Sequence, residues 1–404
     1  MRQTLVLALA LTAFAAQDAS AQARLQISEF AVTPTAGEFV EIYNPNSFTV
    51  DLTDVYITDA TFANGGVFYY NIVLGGGAGG GGGFADWFAR FPAGATIGGG
   101  EFQTIALNGL ANFALTYGVN PTYEIEDDDG FIPDGVPDML PAGGGIEYNA
   151  GMGGHGLTNN GEVVILFHWD GVSDLVTDLD YVTYGASSSC VPNAEGVDKT
   201  GISIDSATDG DAIPSTYLND TPVASQSDAS NGVAEHTNCG PGAAAHTSGN
   251  TLQRVRLSEG TETRSGGNGI TDATLAGNDE TSENTHQTFQ DLLPTPNAAP
   301  PGGITIRLTP GTAGANTFEM AGATPFSLTL YLVSLAEGYV PAPCVGEGLG
   351  AVGGAPVFNF AAPTDGAGGL SLPVTVPAAP GASILVQCYD LTSCTASNMT
   401  RIDL

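Results

Sequence analysis

The chain is poor in positive charge. Nine Lys and Arg stand against 43 Asp and Glu in 404 residues, a formal net charge of −34. Lys199 is the only lysine. Such a surface repels phosphate backbones, which excludes the ordinary electrostatic route to DNA or RNA. Long apolar runs are also lacking. The longest, Leu5 to Ala16, is too short to cross a bilayer as a helix. Catalytic signatures are missing as well. There is no G-x-S-x-G elbow, GASSSC resembling one only superficially, and no H-E-x-x-H. The glycine run Gly75 to Gly83 has no lysine to make it a phosphate-cradling loop. No catalytic residues are assigned. Carboxylate pairs for glycoside hydrolysis are identified only by their separation in space, which a linear sequence does not give.

What is present is β-structure. Hydrophobic content of 42% suffices for real cores, and 56 glycines favour turns over helices. The organising stretch is Gly161 to Gly185. From Glu162 to Trp169, Val163, Ile165, Phe167 and Trp169 share one side, and Val164 and Leu166, with His168, share the other. A strand apolar on both sides belongs inside a sheet or between two sheets. Asp170-Gly171 predicts a tight reversal. The return strand alternates, with Leu175, Thr177, Leu179 and Tyr181 expected in the core and Asp174, Val176, Asp178 and Asp180 largely in solvent. Upstream, Leu25 to Phe30, Glu38 to Tyr43 and Val55 to Ile57 read as short strands separated by Gly, Pro, Asn and Asp, the pattern of a sandwich. Ala111 to Tyr117 predicts a short helix, and Trp87 and Phe88 are expected to tuck against the sandwich.

These pieces resemble a known family. ISEF followed by GEFVEIYNPNSFTVDLTDVYITDA is similar to the opening of a lamin-tail-type immunoglobulin-like domain of the exported bacterial kind. LTNNGEVVILF and DYVTYG resemble its central strands, Leu252-Gln253-Arg254 its late arginine strand, and PTPNAA its closing segment. The resemblance spans roughly residues 24–298, with large interruptions. It implies an immunoglobulin-like β-sandwich with long loop insertions, serving as an accessory module with no catalytic residues to carry over.

The chain divides by composition. Arg2, the apolar run and Ala19-Ser20-Ala21 read as a signal peptide over residues 1–21, with the mature chain starting at Gln22. This implies a secreted or cell-surface protein. Residues 22–298 form the lamin-tail-like part and 299–303 a linker within the Pro-rich run Pro294 to Gly303. Residues 304–404 read as a second small β-sandwich. Residues 22–302 hold 36 acids and six bases, whereas 303–404 hold six acids and two bases. GLSLPVTVP, ASILVQCYD and SNMTRIDL resemble the small C-terminal sandwich of some exported bacterial proteins.

Several ligand sets can be weighed. The densest acidic cluster is YEIEDDDGFIPDGVPDM, with Glu124, Glu126, Asp127, Asp128, Asp129, Asp134 and Asp138 among glycines and prolines. Hard oxygens on a glycine-containing loop suit Ca²⁺. Glu124, Glu126, Asp127, Asp129, Asp134 and Asp138 are therefore candidate calcium ligands. Ile125 stands where an EF-hand-like loop would place its first ligand and no glutamate closes the loop, so a solvated acidic loop is the alternative. Asp174, Asp178 and Asp180 form a rival face. His236, Cys239 and His246 lack a fourth ligand for zinc, and a loop stapled by Cys239 is preferred. Residues 186–250 are expected to be a long surface excursion. Of five cysteines, Cys190 and Cys239 are the favoured pair, a second bridge being expected among Cys344, Cys388 and Cys394. Arg254 and Arg256, partly exposed on LQRVRL, are expected to pair with carboxylates such as those of Asp279 to Asn284.

Two functional readings follow. The first is a non-catalytic exported protein with a structural, adhesive or cell-surface and matrix role. The second is a carbohydrate-binding or accessory module for an extracellular hydrolase, which exposed aromatics on one sheet face would favour. The partner is in either case an extracellular protein or polysaccharide.

Overall fold

A computed structural model describes residues 25–46, 48–60, 68–75, 87–125, 134–142, 156–159, 161–185, 197–218, 220, 247–254, 257, 289–298, 304–309, 314–335, 340–341, 348–349, 358–376, 378–379, 383–393, 395–398 and 400–403. Among the described residues, two large sheets dominate the part before residue 298, beside two-stranded ladders that pair Val50–Asp51 with Thr96–Ile97 and Ser203–Ile204 with Ser215–Thr216. The first has six strands in the spatial order Phe289–Leu292, Thr251–Arg254, Gln26–Ala31, Phe39–Tyr43, Phe102–Ala106 and Tyr123–Glu124. The second has five, in the order Thr177–Gly185, Gly161–His168, Val55–Thr58, Phe88–Arg90 and Leu140–Pro141. Pairing is antiparallel except where Phe102–Ala106 meets Tyr123–Glu124. Alternation along each strand sends every second side chain inward. Ile27, Val40, Ile42 and Ile105 from one sheet meet Ile57, Ala89, Val164, Leu166 and Val182 from the other in a single buried cluster that also holds Trp87. The protein is an all-β sandwich.

The Gly161–His168 strand is apolar on both sides because it has two cores to serve. Val164 and Leu166 face the inter-sheet core. Val163, Ile165 and Phe167 face outward, into a second cluster with Tyr56, Phe88 and Tyr181. That outer cluster is roofed by the 3₁₀ turn Tyr69–Leu74 and by Val197, Ile204 and Tyr217. Of the surface excursion expected over 186–250, the described stretch 207–216 does run over the surface, but the chain on either side of it is anchored inward. Val197, Lys199, Ile204 and Tyr217 are buried against the second sheet.

The hairpin differs from expectation in two ways. Its strands end at His168 and resume at Thr177, so the reversal is longer than a two-residue turn. Asp170 still starts it, but as an acceptor for Val172 N, Ser173 N and the Ser173 hydroxyl. The register also shifts between Leu166 and Phe167, opposite Asp180 and Asp178. Both aspartates expected in solvent are buried, Asp178 at 1% and Asp180 at 6% exposure. Each has acquired a cation from elsewhere in the chain.

The helix expected over Ala111 to Tyr117 runs Leu110–Tyr117 and stops at Gly118, whose φ of 74° is the left-handed cap that glycine takes without a Cβ clash. Trp87 and Phe88 are both buried, one in each core. No described helix is long and apolar enough to cross a membrane.

Beyond residue 304, every described strand pairs with others of the same part. Thr305–Thr309, Gly314–Ala321 and Leu370–Val376 form one sheet. Phe358–Pro363, Leu328–Ser334 and Ser383–Asp390 are the spine of another, completed by Thr395–Ala396 and Thr400–Asp403. Ile306, Phe318, Tyr331, Val386 and Ile402 share its core. Buried polar contacts tie this part to the first: Asn398 Nδ2 and the Thr400 hydroxyl both donate to the Pro45 carbonyl, at 3.1 and 3.0 Å. Cys388 is a free, buried thiol. Cys190, Cys239, Cys344 and Cys394 lie outside the described residues.

Candidate functional site

The second core contains the one lysine of the chain. Lys199 Nζ lies 2.5 Å from Asp178 Oδ2 and 2.9 Å from Asp220 Oδ2, with all three side chains fully buried. The Tyr69 hydroxyl donates to both Asp178 oxygens, at 2.7 and 2.8 Å. It also lies 3.3 Å from Lys199 Nζ. The rings of Tyr69 and Tyr217 stand 5.9 and 5.7 Å from the ammonium, close enough to share in its stabilisation. Asp220 accepts the Lys199 backbone N–H at 2.8 Å, which fixes it beside the amine. Burial acts to lower the Lys199 pKa, but Asp178 and Asp220 outweigh it and hold it well above its ordinary value. Burial and the charge of Asp178 push Asp220 up to about 6 despite the lysine. One cation is shared by two carboxylates, and because a net charge so deep in protein is costly, Asp220 takes up a proton more readily than an ordinary aspartate.

Arg254 is the second captured cation, and among the described residues it pairs with Asp180; the Asp279 to Asn284 segment lies outside the described residues. Arg254 Nη2 lies 2.9 Å from Asp180 Oδ2, Nε donates to the Ile27 carbonyl at 3.0 Å, and the guanidinium sits 4.9 Å over Phe289. The side chain expected to be partly exposed is 1% exposed. Arg256 lies outside the described residues.

A third set is acidic throughout. Glu29, Glu38 and Glu41 are buried along the strands that open the fold. Glu29 accepts from the hydroxyls of Thr251 and Thr295 at 2.6 and 3.2 Å, and Glu41 from the Ser28 hydroxyl and Asn297 N at 2.7 and 2.5 Å. Burial, and then the charge of Glu29, hold the Glu41 carboxyl well above the usual range. Burial pushes Glu38 from 4.5 up to about 8. The folded state therefore binds protons that the unfolded state has released, so stability falls as pH rises from about 4.5 to about 8. At about 1.4 kcal/mol per unit, Glu38 alone accounts for a few kcal/mol across that window. Urea midpoints measured through it should decline, and Glu38→Gln should flatten the decline.

The expected calcium loop divides. Glu124 is buried, and its Oε2 accepts Leu110 N at 2.6 Å at the start of the helix, so this carboxylate serves the fold. Asp134 and Asp138 are exposed, and Asp134 Oδ1 accepts Val136 N at 2.8 Å. Glu126, Asp127 and Asp129 lie outside the described residues, as do Asp128 and the His236, Cys239 and His246 set. The rival face does not exist as a face, because Asp178 and Asp180 point to different cations. Asp174 instead gathers with Asp205 and Asp209, their carboxylate oxygens within 4.8 Å of one another and all three side chains half-buried. Asp205 and Asp209 were not singled out in the sequence. Only their chain folding back beside Asp174 makes them neighbours. Both Asp174 oxygens are already engaged, by Ser206 N at 2.8 Å and the Ser215 hydroxyl at 2.6 Å.

Aromatic side chains are turned inward. Among the described residues Phe326 is the one exposed aromatic, at 81%. A cleft of about 450 Å³ between the two parts is lined by Tyr43, Phe102, Arg307 and Glu319, yet Tyr43 is only 1% exposed and is stacked on Phe102 at 4.3 Å.

No protein-family model matches the chain, and no curated protein matches it. Among solved structures, the crystal structure of a DUF4876 family protein from Bacteroides thetaiotaomicron is similar over 69% of this chain and 74% of its own, with 15% identity and a TM-score of 0.36.

Proposed function

We propose that this is a non-catalytic exported protein with a structural, adhesive or surface role, built on a lamin-tail-type sandwich and a separate C-terminal sandwich. The observation that carries this reading is where the reactive groups go. Lys199 and Arg254 are consumed in buried pairs inside the sheets, and the carboxylates most shifted from their usual range are sealed under strands. A hydrolase needs the opposite, perturbed groups converging on an open cleft. The inward aromatics count against the carbohydrate-binding alternative, which needs flat rings in solvent. The test is to challenge the full chain with soluble polysaccharides and peptides while following where the native protein fractionates. No turnover, with retention in the envelope or matrix fraction, is the expected result. Hydrolysis that disappears when one carboxylate is replaced would overturn the reading, and retardation on a polysaccharide gel would replace it with the carbohydrate-binding one.

Calcium is proposed as a stabilising ion held by the acidic loop ending at Asp138. The loop offers more hard oxygens than the Asp174, Asp205 and Asp209 group, and Ca²⁺ takes six to eight. Calcium at about 1 mM, an extracellular level, should raise the melting temperature of the full chain by linkage. Asp127→Asn/Asp129→Asn should abolish the rise and Asp205→Asn/Asp209→Asn should leave it. The converse pattern would move the ion to the latter group.

A further inference from the structure

We propose that Lys199 and Asp178 become joined by an intramolecular isopeptide bond, with Asp220 relaying the proton and Tyr69 polarising the acyl carbon. This inference is independent of the surface role proposed above. Three requirements of amide formation are met at one place. The nucleophile and the acyl group must be held together, and Nζ lies 2.5 Å from Asp178 Oδ2 on a strand that cannot withdraw it. Such fixed proximity replaces an encounter in solution and is worth many orders of magnitude in effective concentration. The carbonyl must be polarised, and the Tyr69 hydroxyl donates to Asp178 Oδ1 at 2.7 Å. A proton carrier must touch the amine, and Asp220 Oδ2 is 2.9 Å from Nζ.

Asp178 and Asp220 hold Lys199 as the ammonium against the opposing effect of burial, so the neutral amine that reacts is the minor form of this pair. Lys199, Asp178 and Asp220 have side chains with no exposure, and Tyr69, Tyr181 and Tyr217 pack in the same core. There an ammonium–carboxylate pair and a neutral amine–acid pair differ by one proton moved along one short hydrogen bond, and burial penalises the charged form. From the neutral pair, Nζ attacks Cγ of Asp178 and the N–C bond forms. The amine gives one proton to Asp220, whose own proton goes to the Asp178 hydroxyl. The C–O bond breaks and that oxygen leaves as water. An amine and a carboxylic acid become an amide and one water, with no oxidant or cofactor, and Asp220 ends as it began.

The chain supplies its own readout. Between Arg90 and Arg254, Lys199 is the only residue after which trypsin cuts, and trypsin does not cut after an acylated lysine. The full chain, reduced and denatured, is digested and weighed. The expected product is one uncut peptide from Phe91 to Arg254, one water lighter than its sequence, with fragmentation placing the branch at Asp178. Two peptides of unmodified mass, the first ending at Lys199, would overturn the proposal, as would a branch at Asp220. Lys199→Arg should restore the missing water to the intact mass, and a variant still one water light would show that the loss lies elsewhere. Asp220→Asn, if folded by circular dichroism, should be cut at Lys199 and carry its full mass. Full cross-linking in that variant would remove Asp220 from the relay.

Discussion

Arg254→Ala is expected to lower the free energy of unfolding by about 3–5 kcal/mol, the range for breaking a buried ion pair from one side. Arg254 belongs to the first sheet and Asp180 to the second, so their contact pins one sheet to the other. Removing the guanidinium takes away the cation that balances the buried Asp180 carboxylate, which still accepts the backbone N–H groups of Ile27 at 2.5 Å and Tyr181 at 2.8 Å. It also uncovers the Ile27 carbonyl and the face of Phe289. Urea unfolding of the full chain measures the change. Asp180→Asn combined with Arg254→Ala should cost less than the sum of the two single changes, because each already breaks the same contact. A loss below about 1 kcal/mol for Arg254→Ala, typical of surface substitutions, would refute the pin.

Phe167→Ala should cost a similar amount, about 3–5 kcal/mol, by a different mechanism. The ring is fully buried in the outer core. It stacks on Tyr56 with centroids 5.0 Å apart and lies 5.2 Å from Tyr69 and 5.7 Å from Phe88. Those neighbours sit on three separate segments, so collapse into the void is restricted and the cavity persists. Phe167→Leu, which refills most of the volume, should cost much less. Equal losses for the two variants would mean that the site is not packed in this way.

Strand content was legible wherever local alternation decided it. The Glu162 to Trp169 run announced a two-sided strand because nothing but two cores explains apolar side chains at consecutive positions. Trp87 and Phe88 were legible for the same reason, being bulky apolar residues beside a glycine run. The fate of Asp178 and Asp180 was not legible. Their alternation with Leu179 and Tyr181 is that of a half-exposed strand, and only partners 21 and 74 residues away make burial tolerable. The signal available was rarity: in a chain with a single lysine, that lysine is unlike ordinary surface charge. Glu124 shows the opposite error. Composition grouped it with its acidic neighbours, whereas its carboxylate closes the start of a helix.

The pairing of the first sheet also bears on how the chain reaches its fold in time. Gln26–Ala31 lies between Phe39–Tyr43 and Thr251–Arg254, so one of its neighbours is made more than two hundred residues later. Glu29 waits longer still, for Thr295. A polypeptide emerging N-terminus first can form the early hairpin but holds an open strand edge and an unsatisfied carboxylate until the far segment arrives. Contacts of such long range slow folding and prolong exposure of the edge. A nascent chain stopped short of residue 251 should therefore be a substrate for chaperones and proteases, and completion of the fold should be a single late event rather than a gradual one.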